Sequence, residues 1–239
     1  QQMLEAPGYA AEISRKFNTP VVILASGTLC HSEGLVELNS ISNREPAQVD
    51  NIKEFFVMPG DARVNYNHVL ANRVPQLEAF VEDSNWNRGI TGSGTKGVIV
   101  SGANVMFAEE VKAFSCEDSD ILSLGITNPL PAKLIADFAA AVNEVYIIED
   151  GYRYLTDELA IMGVKVNGKD RYDNITEWSP AQLAAKIGLN VACPKAVEIA
   201  PVRRPPMICA GCPYRILGEL VNTFKKRGKI ETCFGDIGC

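Results

Sequence analysis

Residues 97–102 read Gly-Val-Ile-Val-Ser-Gly, a short apolar run that ends in a small polar turn. Similar runs follow at residues 120–125 and 145–148, and the segments between them, residues 103–114 and the stretch opened by Pro131, have the apolar spacing of helices. This alternation of strand and helix predicts βαβ units. It therefore predicts an α/β fold whose parallel sheet is the middle of three layers.

The prediction extends downstream of these strands. Residues 152–162 have helical spacing, residues 164–166 suggest an edge strand, and Ser179 followed by Pro180 is typical of a helix start. We expect that last helix to end at Gly188. Together these elements predict an α/β domain that spans residues 97–190.

The upstream part of the chain has a different pattern. Residues 4–17 have helical spacing and lead into the apolar run 21–24, which we interpret as a buried strand. A second helix is predicted over residues 66–82 despite Pro75, and the Asn-, Gly- and Ser-rich residues 85–96 have the composition of a flexible connector.

Composition excludes several classes of protein. The chain has 239 residues, of which 46% are hydrophobic, and 23 basic residues face 29 acidic ones, so no basic surface for nucleic acid is expected. No apolar run approaches the roughly 20 residues of a membrane span, and a cytoplasmic location without a membrane partner is predicted. Because the chain begins at Gln1 and stops at Cys239, we expect an internal fragment of a longer polypeptide.

Three cysteines form the strongest chemical motif in the sequence. Cys209 and Cys212 are spaced C-x2-C, and Cys239 follows a Gly-Asp-Ile-Gly turn, so these thiols can form most of an iron–sulfur or zinc site. Adding Cys233 gives four ligands without any further residue, which leaves structural zinc as an alternative. The remaining three cysteines, at positions 30, 116 and 193, are expected to be small packing residues.

Two polar pairs at strand ends have a less specific pattern. His31 and Ser32 are adjacent in sequence, so their side chains diverge and ordinary turn hydrogen bonds are expected. Glu149 and Asp150 follow a predicted strand, but the single Gly102 is too weak a match to a dinucleotide-binding fingerprint. We expect these carboxylates to cap the next helix.

Residues 204–215, Arg-Pro-Pro-Met-Ile-Cys-Ala-Gly-Cys-Pro-Tyr-Arg, together with residues 235–239, resemble the start of the thiamine-diphosphate domain in the 2-oxoacid:ferredoxin oxidoreductase family, in particular its indolepyruvate branch. Residues 121–131 resemble that family's transketolase C-terminal-like domain, and residues 20–34 resemble the end of its pyrimidine-binding domain. The resemblance implies five segments. They are the end of the pyrimidine-binding domain (1–45), a helical linker (46–96), the transketolase C-terminal-like domain (97–190), a proline-rich linker (191–206) and the start of the diphosphate-binding domain (207–239).

The resemblance also implies a function. The family oxidises and decarboxylates 2-oxoacids, here an aryl substrate such as indolepyruvate, to an acyl-CoA, with ferredoxin as electron acceptor and a β subunit as partner in an oligomer. It uses thiamine diphosphate, Mg²⁺ and [4Fe–4S] clusters. The implied cluster ligands are Cys209, Cys212 and Cys239, with a fourth cysteine further on, and the backbone near the diphosphate belongs to Gly235, Asp236, Ile237 and Gly238.

Some family features differ or are missing. Tyr214 stands where the family often has His, and Ala210 where it often has Pro. The motif that holds Mg²⁺ and the catalytic glutamate are not in this stretch, so no catalytic residue is assigned and the piece alone is expected to be inactive. An alternative function is an assembly module that positions the thiamine-binding halves.

Overall fold

The computed structural model describes residues 1–38, 52–90, 94–115, 118–173, 177–189 and 210–234. Two compact units divide the chain, Gln1–Cys193 and Pro194–Cys239. Helices of the first unit are α1 (Gln2–Phe17), α2 (Gly27–Cys30), α3 (Pro59–His68), α4 (Val74–Glu82), α5 (Asn104–Phe114), α6 (Ala132–Ala140), α7 (Tyr154–Ile161) and α8 (Pro180–Lys186). Its strands are β1 (Asn87–Ile90), β2 (Lys96–Ser101), β3 (Ser119–Leu124) and β4 (Glu144–Ile148), and the second unit contains α9 (Tyr214–Lys226).

The sheet has the strand order β1-β3-β2-β4. Strand β2 pairs in parallel with β3 on one side and with β4 on the other, so that Val98 lies opposite both Ile121 and Tyr146. The three strands predicted from the apolar runs are therefore confirmed, within one or two residues at each end. Strand β1 pairs antiparallel with β3 and occupies part of the segment for which composition predicted a flexible connector.

Alternate residues of the strands lie on opposite faces of the sheet, each covered by helices. Val98 and Val100 belong to one core cluster, which includes residues of α5 and α8. Ile99 belongs to the other, with residues of α6 and α7. Since each fully buried aliphatic side chain contributes roughly 1.5–3 kcal/mol, both faces stabilise the sheet. The predicted three-layer α/β architecture is confirmed.

Helix ends follow the local sequence signals. Ser179 and Gln182 form a capping box at the start of α8, in which each side chain bonds the other residue's backbone N–H. Gly188 has φ +67°, a left-handed conformation that stops this helix, as the sequence predicted. Asn18 ends α1 in the same region, with φ 47°.

The helix predicted over residues 66–82 belongs to a continuous helical segment from Pro59 to Glu82, which contains a π turn at Val69–Arg73. Pro75 is the second residue after this turn; it has no N–H to donate and its ring crowds the carbonyl of the preceding turn. One turn of the helix is therefore wider than an α-helical turn, and regular α-helix resumes in α4.

The predicted buried strand at residues 21–24 is wrong in this structure. Within the described residues this segment pairs with no strand, and the side chains of Val22 and Leu24 are 85% and 93% exposed. Apolar composition favours a strand, but a strand also needs a neighbour that accepts its backbone hydrogen bonds. The suggested edge strand at residues 164–166 is reduced to an isolated bridge between Tyr146 and Asn167.

The sheet and the helices α5 to α8 that cover it are called the sheet domain below. Aromatic rings attach the first helices to it. Tyr9 of α1 stacks on Trp86, with centroids 4.8 Å apart and planes inclined by 5°, and its hydroxyl is 2.8 Å from Ser84 Oγ. Phe17 packs edge-on against Phe80 of α4. Helix α1 is thereby fixed to the segment that leads into β1.

Glu82, the last residue of α4, caps a different helix. Its carboxylate accepts hydrogen bonds from the backbone N–H groups of Lys133 and Leu134 at 2.8 and 3.0 Å. The N-cap position of α6 is Pro131, which makes no side-chain cap bond. An acidic side chain from a distant helix thus satisfies the positive end of α6.

No helix among the described ranges is long and apolar enough to cross a membrane.

Candidate functional site

The cysteine motif lies partly outside the described residues. Cys209, Cys239 and the turn Gly235, Asp236, Ile237 and Gly238 fall there, so their predicted roles as ligands stay predictions. Cys212 is a half-buried free thiol in the turn before α9, and Cys233 is an exposed free thiol beyond that helix. Within the described ranges, no group of three or more His, Cys, Asp or Glu side chains is placed to hold a metal ion.

The turn before α9 contains a glycine in the left-handed conformation. Gly211 has φ +81°, and open space lies where a Cβ atom would be. The carbonyl of Cys212 accepts the N–H of Arg215 at 3.1 Å, which begins the helix immediately after the thiol. Cys212 is therefore positioned by a tight turn and a helix start, an arrangement that can present a thiolate to a metal.

Helix α9 has an apolar side that the described residues leave uncovered. None of its residues is buried, and Leu217, Leu220 and Phe224, which share one face, are 40–52% exposed. A helix of this composition needs a packing partner for most of its stability.

The carboxyl end of β4 carries a buried carboxylate. Glu149 is 3% exposed and accepts hydrogen bonds from the N–H groups of Leu155 and Thr156, at 2.6 and 3.0 Å, and from the Thr156 hydroxyl at 2.6 Å. These bonds satisfy the N-terminus of α7. The capping role predicted for this residue is confirmed.

Two further buried groups fix the loop after β4. The indole N–H of Trp178 donates to the carbonyl of Glu149 at 2.9 Å. The ammonium group of Lys169, a residue that is 4% exposed, donates to the carbonyl of Gly151 at 2.7 Å. Sequence reasoning missed Lys169, because nothing in its local sequence distinguishes it from a surface lysine.

Asp150 is paired with a residue at the end of the neighbouring strand. Asn104 Nδ2 donates to Asp150 Oδ1 at 3.0 Å and to the carbonyl of Ser101 at 3.3 Å. Asn104 is 1% exposed, and within the described part of the chain its Oδ1 has no hydrogen-bond partner. No local sequence pattern indicated this pair, which joins residues 46 positions apart.

This pair lies at the topological switch point of the sheet, between two neighbouring strands whose following helices lie on opposite faces. Helix α5 follows β2 on one face and α7 follows β4 on the other, so the two loops diverge at the carboxyl edge. Ligands of open α/β sheets commonly bind at such a point. Here the Asn104–Asp150 bond links the two loops and fixes their separation.

The segment that resembles the end of a pyrimidine-binding domain is attached through Thr28. Its N–H and hydroxyl both donate to the carboxylate of Glu177, at 3.1 and 2.6 Å. The hydroxyl hydrogen bond, followed by the backbone one, lowers the pKa of Glu177 below its ordinary value of 4.5. Ser32 makes the expected turn hydrogen bond, with its hydroxyl donating to the carbonyl of Leu29.

Known proteins similar to this chain belong to the branch that the sequence motifs indicated. The chain is 25% identical to indolepyruvate oxidoreductase subunit IorA of Archaeoglobus fulgidus, over 98% of its own length and 41% of the relative's. It is 28% identical to the subunit of the same name in Methanothermobacter thermautotrophicus, over 100% of its own length and 42% of the relative's. The predicted resemblance to this branch is confirmed, and the chain spans about two fifths of the length of these curated relatives.

Among solved structures, 2-oxoglutarate:ferredoxin oxidoreductase from Magnetococcus marinus, with 2-oxoglutarate, coenzyme A and succinyl-CoA bound, matches 56% of this chain and 24% of its own. The identity is 12% and the TM-score 0.44. No known family model matches the chain.

Proposed function

We propose that this chain is an internal part of the α subunit of an indolepyruvate:ferredoxin oxidoreductase. The whole enzyme would decarboxylate an aryl 2-oxoacid oxidatively to an acyl-CoA and pass the electrons to ferredoxin, together with a β subunit and in the cytoplasm. The observation that supports this proposal best is the similarity to IorA subunits over nearly the entire chain. The α/β fold agrees with it, although many unrelated functions use such folds.

Within that enzyme, the first unit would act mainly as the part that positions its neighbours. It is stabilised by its own two hydrophobic cores, and its buried Glu149 and Lys169 are bonded to helix and loop backbone. The transketolase C-terminal-like assignment of residues 97–190 belongs to this proposal, as do the boundaries of the flanking segments.

The second unit would contribute to two cofactor sites. Cys209, Cys212 and Cys239 are the proposed ligands of a [4Fe–4S] cluster, with a fourth thiolate from elsewhere in the subunit. Cys212 fits this role, because it is a half-buried free thiol held by a turn. The backbone N–H groups of residues 235–238 are proposed to donate to the diphosphate of thiamine diphosphate, near its Mg²⁺. When bound, that cofactor supplies the electron sink for decarboxylation.

The test of the activity uses the whole polypeptide, produced anaerobically with its partner subunit. We expect a viologen dye to be reduced only when indolepyruvate, CoA and thiamine diphosphate are all present. Dye reduction that continues unchanged without thiamine diphosphate would contradict the proposal.

The test of the metal compares two single cysteine variants of the same polypeptide. Cys212→Ser is expected to lose the cluster iron and the visible absorption of that cluster. Cys30→Ser, which changes an exposed thiol outside the proposed set, is expected to keep both. One zinc per chain, lost in Cys233→Ala but retained in Cys193→Ala, would instead establish the structural zinc site of Cys209, Cys212, Cys233 and Cys239.

A further inference from the structure

A small polar cavity of the first unit is lined by none of the residues proposed above as cofactor ligands. It has a volume of about 100 Å³ and is formed where the end of α1 meets the helical segment from α3 to α4. Side chains of both charge signs line it, including Lys16, Glu54, His68 and Arg73. The volume corresponds to about three water molecules, which is enough for one small oxyanion.

The π turn contributes lining residues to this cavity. It closes its hydrogen bond five positions on, instead of four as in an α-helix. Asn72 and Arg73 of this turn, and His68 directly before it, all line the cavity. Pro75, which has no backbone N–H to donate, accounts for the wider turn.

Arg73 provides unused donors. It is half-buried, and among the described residues its guanidinium group makes no hydrogen bond and no ion pair. A guanidinium has five N–H donors in a planar fork that matches a carboxylate or a phosphate. Lys16 adds a second cation, with its ammonium 4.8 Å from the centre of the Phe80 ring.

His68 and Asn72, which both line the cavity, contact each other. Asn72 Nδ2 lies 3.3 Å from the carbonyl of His68, which is an acceptor, and 3.2 Å from its Nδ1. An amide nitrogen only donates, so Nδ1 accepts in this contact and Nε2 is not engaged by Asn72. His68 is also one of the residues that line the cavity.

Two hydrogen-bond acceptors near the cavity already accept hydrogen bonds from other residues of the chain. Glu54 accepts a hydrogen bond from Asn18 Nδ2 at 3.2 Å. The backbone N–H groups of Asn18 and Thr19 both donate to the carbonyl of Ser14, which caps the negative end of α1. Two cations against one carboxylate leave an excess of positive charge and of donors.

From these contacts we infer a binding site for a small oxyanion, a phosphate or carboxylate group, held by Arg73 and Lys16 with His68 beside them. The inference does not depend on the proposed enzymatic function, because none of these residues belongs to the cysteine motif or to the predicted diphosphate turn.

Isothermal titration of the whole polypeptide in its assembled enzyme tests this site. Sodium phosphate and sodium acetate are titrated separately, each against sodium chloride of equal ionic strength, so that the two oxyanion classes are distinguished. Saturable binding of at least one of them is expected. Arg73→Gln should weaken it about tenfold or more, as expected when a hydrogen bond to a charged group is lost.

The matched control is Arg15→Gln. It removes the same charge from the residue next to Lys16, but Arg15 bonds the carbonyl of Ala11 and does not line the cavity. Its affinity should equal that of the unsubstituted protein, while His68→Gln should bind several-fold more weakly. Equal affinities of the Arg73 and Arg15 variants, or no binding beyond that of chloride, would overturn the inference.

Discussion

The sheet domain and helix α9 both have regularly spaced apolar residues, but these residues are buried only in the sheet domain. In the sheet, the central residues Ile99, Leu122 and Ile147 are completely buried by helices of the same unit. In α9 the apolar residues are as regular in sequence, yet none is buried within the described part of the chain. The first region contains its own packing partners, whereas the second has the pattern of a packed helix but no packing partner among the residues that the structure describes. Apolar periodicity therefore predicts that a helix or strand forms, but not which residues stabilise it.

A pair of leucine truncations should give the largest contrast between these regions. Leu122→Ala is expected to destabilise the first unit by about 3 kcal/mol, because it leaves a cavity in a closed core. Leu220→Ala in α9 is expected to cost less than about 0.5 kcal/mol in this chain, because that side chain is already 52% exposed. Denaturant unfolding measures both effects, and equal losses would remove the distinction.

Substitution of the buried carboxylate should have a smaller effect that is still confined to the sheet domain. Glu149→Ala leaves the N–H groups of Leu155 and Thr156 buried without acceptors, for an expected loss of about 2 kcal/mol. Asp157→Ala is the control, since it breaks only the exposed ion pair with Arg153, which is worth about 0.5 kcal/mol. Thermal unfolding of the two variants compares them. A Glu149→Ala loss no greater than that of the control would show that the cap is dispensable.

The contact between Thr28 and Glu177 should contribute least to stability, and its contribution should depend on pH. Because its hydrogen bonds to Thr28 lower the pKa of Glu177, this contact stabilises the fold above the ordinary glutamate pKa and is lost as the pH falls through the lowered value. Glu177→Gln should therefore reduce the melting temperature slightly near pH 7, and the difference should disappear in acid.

The pH series needs one control, Asp137→Asn, a change of the same kind at an exposed position of the same domain. A difference between Glu177→Gln and the unsubstituted protein that persists undiminished at low pH would show that the carboxylate charge does not act through Thr28.

Local signals predicted most of the sheet domain. The apolar runs gave β2, β3 and β4, and Ser179 with Pro180 gave the start of α8, because strand and cap preferences depend on neighbouring residues. Strand β1 was missed because its residues, Asn-Arg-Gly-Ile, are not apolar; its place depends on the exposed edge of β3. The converse error at residues 21–24 has the same origin, since no described strand pairs with that apolar run.

The candidate sites were predictable to different degrees. The capping role of Glu149 followed from its place between a strand and a helix. The Asn104–Asp150 bond and the cap from Glu82 join residues far apart in sequence, and no local pattern reports such contacts. Of the proposed thiolate ligands, the structure describes only Cys212, so the metal prediction depends on the motif and on the similarity to IorA subunits.

The cap that Glu82 provides for α6 has a consequence for how this sequence can diverge. Position 131 is proline, whose side chain has no oxygen to accept the first amides of α6, so the acid at position 82 compensates for it from another helix. The two positions should therefore co-vary. A relative that loses the acid at the first position is expected to gain Ser, Thr or Asp at the second, which would move the cap from a remote helix to the adjacent residue.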